Sequence, residues 1–220
     1  MIVVDRFHPS RRASLQTALD AGQMRQVDEM ALLEPEQLLP LARFSLWLFV
    51  LGGIFFIVLN LFAYTWRTGQ HGASLSGGIV FLWIVLNLLS YVVMLPIHEL
   101  IHGITIAFWG GRPHFGAKLP LALYCGAKDQ VFPRNYYLAI ALAPFVVLTL
   151  AGILFTLFAP TLSPYILLAT VGNVSGAAGD LAMVRRLRAL PASALIEDLE
   201  SGYHAWMVTS PAENATISST

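Results

Sequence analysis

Apolar residues run almost unbroken through four stretches of the chain, and polar residues gather between and around them. The first stretch, about Arg43 to Trp66, has no acidic or basic residue between its ends. More than twenty apolar residues in a helix cross a hydrocarbon core of about 30 Å, and Trp47, Tyr64 and Trp66 suit the interfacial belts. A Gly-rich polar connection follows (Thr68 to Gly78). The second stretch begins at about Ile79 and is predicted to end at Gly110-Gly111, because tandem glycines followed by Pro113 stop a helix. The third covers about Tyr136 to Phe158, with Pro144 inside it. The fourth runs from about Pro164 to Val184 and stops at Arg185-Arg186-Leu187-Arg188.

The flanking segments are more polar. In residues 1–42, Leu15, Leu19, Val27, Met30 and Leu33 could line an amphipathic helix on a membrane surface, or belong to a loosely ordered tail. The segment is too polar and acidic for a cleavable signal peptide. Between the second and third stretches, residues 114–120 and 121–126 are short enough to be two strands of a hairpin, with Pro120 confining one to an edge. Residues 189–220 read as a polar tail, and Asn214-Ala215-Thr216 matches a glycosylation acceptor by chance. The expectation is an all-α membrane protein: an N-terminal segment (1–42), a four-helix transmembrane domain (43–188) carrying a short β-hairpin between helices 2 and 3, and a C-terminal tail (189–220).

Lysine and arginine give the orientation. The N-terminal segment through Arg43 carries five, residues 110–135 carry four, and Arg185, Arg186 and Arg188 at the end of the fourth stretch make three more, against Arg67 alone in the first connection. Both termini and the hairpin are therefore expected in the cytoplasm of a multi-pass cell-membrane protein, with the bilayer as its surroundings.

Composition agrees with this reading. The chain is 56% hydrophobic and 12% charged, about half the charge of a typical soluble domain. Its zero net charge gives no reason to propose nucleic acid as a partner. One cysteine, Cys125, excludes an internal disulfide framework and a Cys-rich zinc site.

Candidate chemistry lies in the second stretch, at Pro96-Ile97-His98-Glu99-Leu100-Ile101-His102-Gly103. On a helix, His98 and His102 leave the same face one turn apart, with Glu99 at its edge. This is the H-E-x-x-H arrangement, in which two neutral imidazoles hold Zn²⁺ and the carboxylate serves as general base. Ionisable groups at membrane depth are costly, by roughly 3 kcal/mol each on insertion scales, and mark function. Pro96 should kink the helix or free a carbonyl there.

A catalytic zinc needs a third protein ligand. Between Glu36 and Glu197 the only acidic residues are Glu99, Asp129 and Asp180. His102 precedes Arg112 by roughly 15 Å of helix and Asp180 precedes Arg185 by roughly 8 Å, so both fall in the cytoplasmic half of the bilayer. Asp180 is the expected ligand. It follows Gly172-Asn173-Val174-Ser175-Gly176, where the two glycines form a GxxxG pair that lets helices approach closely and Asn173 shares the face of Asp180. Asp129, Glu197, Asp198 or Glu200 could take its place from the cytoplasmic side, and His114 could approach from the hairpin. Two histidines four apart on one helix cannot take opposite axial positions on one haem iron.

The H-E-x-x-H span, the later Gly/Asn-rich span with an aspartate, and a proline-bearing span between them resemble the site-2 protease clan of intramembrane zinc metalloproteases. The chain is more closely similar to a family of small bacterial membrane proteins classed as zincin peptidases, from about Val93 to Arg186. That likeness includes Lys118-Leu119-Pro120, Pro133-Arg134-Asn135 and Ala143-Pro144. It implies zinc ligands at His98, His102 and Asp180, with Glu99 as general base and a membrane protein or peptide as substrate. In site-2 proteases the aspartate sits in an Asn-Pro-Asp-Gly-like stretch, whereas Asp180 follows Gly179 and precedes Leu181. The chain also lacks a PDZ-like insert. The alternative is a non-catalytic zinc-binding scaffold or sensor that retains the fold, since fold likeness does not establish activity.

Overall fold

The computed structural model describes residues 1–70, 77–118, 122–199 and 201–209. The middle of the first connection with His71, the Pro120 position, Glu200 and the Asn214–Thr216 match lie outside the described residues. In chain order the elements are β1 (Ile2–Val3), α1 (Pro9–Asp20), β2 (Met24–Ala31), α2 (Pro35–Thr68), α3 (Gly77–Phe108), β3 (His114–Lys118), β4 (Ala122–Gly126), β5 (Gln130–Pro133) and α4 (Arg134–Phe158). A 3-10 turn (Ser163–Ile166), α5 (Leu167–Gly176), α6 (Ala178–Leu187), β6 (Leu195–Leu199) and β7 (Gly202–Val208) complete them.

Four helical segments are long and apolar enough to cross a membrane: α2, α3, α4 and the broken segment Ser163–Leu187. Their outward faces fit no aqueous surface. Trp47 is 66% exposed and Trp66 83%, within a continuous apolar sheath that water would penalise and lipid would not. This is a membrane protein.

It is not all-α. Beside the predicted hairpin β3–β4 there is a five-stranded mixed sheet, ordered β1-β5-β6-β7-β2, in which β1 runs parallel to β5 and the other neighbours are antiparallel. The segments read as a surface helix and a polar tail supply most of it. Leu15 and Leu19 lie on α1, as expected of a helix, but they cover Val3, Val131 and Leu195 of the sheet. Val27 and Met30 belong to β2 and pack on the opposite core. Charges stand within these strands, and several of them have partners inside the fold. Asp28, beside the β2 irregularity, accepts from Nε and Nη2 of Arg186 and from the Tyr203 hydroxyl at 2.6 Å.

The chain divides into two compact units, and the division passes through α3, α4 and α6 within their lengths. One unit comprises residues 1–34, 102–141 and 183–220. Its core is built from Ile106, Phe132, Tyr137, Leu187, Ile196 and Tyr203, all buried. Asp198 of β6 joins the hairpin to this core: it accepts from the Ala127 N–H and from the Tyr137 hydroxyl, each at 2.5 Å.

The other unit comprises residues 35–101 and 142–182. Two amides, Asn87 buried and Asn60 half-buried, help hold its helices together, as expected where lipid offers no hydrophobic drive between them. Asn87 donates to the carbonyls of Trp83 and Pro164 and accepts from the Leu168 N–H. Asn60 donates to the Pro160 carbonyl and to Ser163 Oγ. Of the GxxxG pair only Gly172 serves close approach: a Cβ there would lie 2.5 Å from the Tyr91 ring, whereas one at Gly176 would meet nothing. Gly176 instead ends α5, and α6 starts afresh after Ala177.

Candidate metal centre

The break at Ala177 places Asp180 in the first turn of α6. There the unpaired N–H groups and the helix dipole favour a carboxylate. A single continuous helix would have given Asp180 no such setting. Within the same unit, Asp180 Oδ2 lies 3.2 Å from His98 Nε2. The other nitrogen of His98, Nδ1, lies 3.0 Å from Asn173 Oδ1, and the Asn173 amide turns its NH₂ toward Thr149 Oγ1 at 3.4 Å. Asn173 is buried, with 3% of its surface exposed. A carbonyl-type oxygen only accepts, so Nδ1 of His98 carries a proton and a neutral ring keeps Nε2 bare.

His102 follows one turn later on the unbroken α3. Its Nδ1 donates to the carbonyl of Ile140 at 2.9 Å, which again leaves Nε2 unprotonated in the neutral ring. The carbonyl is available for a reason written in the sequence. Ile140 stands four residues before Pro144, which has no N–H to close the helical bond onto it. Pro144 lies inside α4, fully buried. The sequence offered the signal, a proline within an apolar span, without naming what would use the freed oxygen.

His98, His102 and Asp180 each offer a ligand atom within 4.8 Å of the others. They form the one His/Cys/Asp/Glu group of this kind among the described residues, and they could hold a metal ion. The donor chemistry fits zinc. His98 Nε2 and Asp180 Oδ2 face each other at 3.2 Å, and a neutral imidazole nitrogen and a carboxylate oxygen are both ligands that zinc takes. Two such ligands of a tetrahedral ion with bonds of about 2.0–2.1 Å stand roughly 3.3 Å apart. Both imidazoles are held through Nδ1 to oxygen acceptors, the outer arrangement that fixes tautomer and ring orientation in histidine metal sites.

Glu99 lies beside His98 on α3, half-buried. Gly103, next after His102, is a seat for the hairpin: a Cβ there would meet the Phe115 ring at 2.5 Å and Cys125 Sγ at 3.4 Å. Phe115 and Cys125 are partners across β3 and β4. The remaining candidates stand elsewhere. His114 is an exposed residue of β3 whose ring lies 6.5 Å from that of Tyr124. Asp129 occupies the turn before β5 with φ 57° and gives its carbonyl to the Ile2 N–H. Glu197 accepts from Trp206 Nε1 at 3.0 Å, and Asp198 has the hairpin contacts given above. Sequence reading singled out Asn173 but not its partner, and it missed the Ile140 carbonyl altogether.

No curated protein and no solved structure matches the chain. Residues 91–195 match the model of a family described as "putative zincin peptidase". The match takes in His98, Glu99, His102 and Asp180 together with Asn173, Ile140 and Pro144. Over that part of its length the chain is similar to the members of that family.

Proposed function

We propose that the protein is an intramembrane zinc metallopeptidase that hydrolyses peptide bonds of membrane-embedded or membrane-adjacent segments. The observation that carries this reading is His98 Nε2 facing Asp180 Oδ2 at 3.2 Å, one helical turn from a second imidazole whose Nδ1 is likewise held by an oxygen. His98, His102 and Asp180 would hold the ion. Zinc would polarise the scissile carbonyl and lower the pKa of water toward neutrality. The other roles fall to the chain itself. Asn173 and the Ile140 carbonyl hold the two rings in orientation. The Glu99 carboxylate accepts a proton from the attacking water and passes it to the leaving amine.

A helical peptide bond is shielded, so the substrate must be locally extended. The hairpin β3–β4, seated on Gly103 beside His102, offers strand edges for main-chain hydrogen bonds that need little sequence identity. The lysines and arginines of the N-terminal segment, of residues 110–135 and of Arg185 to Arg188 support a site served from the cytoplasmic side of the cell membrane.

The deciding experiment compares wild type with Glu99→Gln in zinc content and in cleavage of a reconstituted membrane segment. Zinc should remain at one ion per chain while hydrolysis falls by about 10²–10⁴-fold or more, the contribution of general acid–base catalysis. Full biological function in the variant would favour the non-catalytic scaffold. Joint loss of zinc and activity would make the carboxylate a structural partner of the site.

A further inference from the structure

Away from the candidate metal centre, the sheet-bearing unit contains a cleft of about 600 Å³ whose lining includes Arg6, Arg12, Arg112 and Lys128. These are four of the thirteen Lys and Arg residues of a chain with no net charge. Two carboxylates also border it, Asp5 and Asp129. The Asp5 side chain has no exposed surface and is engaged by His8, Tyr136 and Arg11. Asp129 is thus the acid the cleft shows, and cations outnumber it.

The cations sit on fixed backbone. Gly110 adopts φ +93°, and a Cβ there would lie 3.1 Å from Arg6 Cβ, so Arg6 rests directly against the residues that end α3. Its guanidinium donates to the Phe108 carbonyl at 3.4 Å. The buried Gln130 side chain clamps both the N–H and the carbonyl of Arg112 at 2.8 Å. Beside Arg6 stand Phe7 and Phe108, 50% and 56% exposed, with rings 5.7 Å apart. Phe108 is the last residue of a helix apolar enough to cross the bilayer. Exposed aromatic rings next to arginines at the end of a span are the side chains of a membrane–water interface.

We propose that this cleft binds the phosphate of an anionic phospholipid headgroup. Free phosphate would meet the same guanidinium chemistry, but it would give Phe7 and Phe108 nothing to contact, whereas a lipid brings acyl chains to them. The proposal is independent of the peptidase reading, since it uses none of its residues.

The test uses the full chain purified in non-ionic detergent and titrated with eight-carbon phosphatidylglycerol, eight-carbon phosphatidylcholine or inorganic phosphate. Wild type should bind the anionic lipid saturably, more tightly than the other two probes and more weakly in high salt. Arg6→Gln combined with Arg112→Gln should weaken that binding by about 30-fold, from the attraction expected of each cation near an anionic surface. Arg12→Gln combined with Lys128→Gln provides a second pair should the first fail to fold. Equal binding of the two lipids, binding unchanged in a folded variant pair, or inorganic phosphate bound as tightly as the lipid would each overturn the proposal.

Discussion

His102 Nδ1 lies 2.9 Å from the Ile140 carbonyl oxygen, the acceptor that Pro144 leaves without its helical donor. The proline therefore serves the imidazole. Replacing it, as in Pro144→Ala, supplies an N–H that competes for that oxygen and removes the steric cause of a kink. Helix propensity alone favours the alanine by about 3 kcal/mol. Zinc affinity should nevertheless fall by about 10–100-fold, the usual cost of losing a ligand's orienting partner. Competition titration with a chelator measures this, and unchanged affinity would leave the carbonyl without a role at the site.

Asp180 should behave differently from these orienting groups. Asp180→Asn keeps the side-chain shape but removes the charge and one strong electron-pair donor. The fall in zinc affinity should exceed the roughly 100-fold upper end expected for an orienting partner. The same titration checks it. An Asp180→Asn protein that binds zinc as tightly as wild type would end the three-ligand assignment.

Four apolar spans, the H-E-x-x-H pair and an aspartate in the last span were legible because each is a local pattern. Helical spacing sets His98 against His102, and unbroken apolar length marks a span. The sheet was not legible. Its strand β2 pairs with β7, more than 170 residues away, and such pairing leaves no local trace. The adjacent charges in Met24–Ala31 and Leu195–Leu199 break the period-2 pattern of a strand, so the two segments read as an amphipathic helix or loose tail and as a polar tail until partners such as Arg186 and Tyr203 are known. The break at Ala177 was hidden too, since the glycines around it read equally well as a packing face.

Acid and alkali should act on that sheet through one pair. Burial alone would raise the Asp28 carboxyl, but hydrogen bonds from Arg186 and Tyr203 outweigh it and hold the pKa below the usual 3.8. A lowered folded value contributes stability that is present above about pH 4 and is lost as pH falls through the folded value. Tyr203 is shifted the other way, raised by burial and by its bond to Asp28. Its contribution is complete below about pH 10, the unfolded value, and is lost as pH rises further. Thermal unfolding followed against pH should show both limbs. Asp28→Asn should flatten the acid limb, and an acid limb identical to wild type would remove Asp28 from this role.

Gly103 tests whether the hairpin contributes to turnover. A Cβ at that position would come within 2.5 Å of the far end of the Phe115 ring, too close for any real contact. Phe115 is 49% exposed, so its ring can swing outward and the strain need not be stored in the core. Gly103→Ala should therefore cost only about 1 kcal/mol of stability, the low end of overpacking, and should leave zinc content unchanged because both histidine partners lie elsewhere. What moves is β3, and with it the strand edge proposed to hold the substrate beside His102. Cleavage should fall mainly through kcat/KM. Phe115→Ala in the Gly103→Ala background removes the obstructing ring and should recover part of that loss, which a defect confined to α3 would not allow. Full turnover in Gly103→Ala would reduce the contact to packing and leave substrate binding to some other edge of the protein.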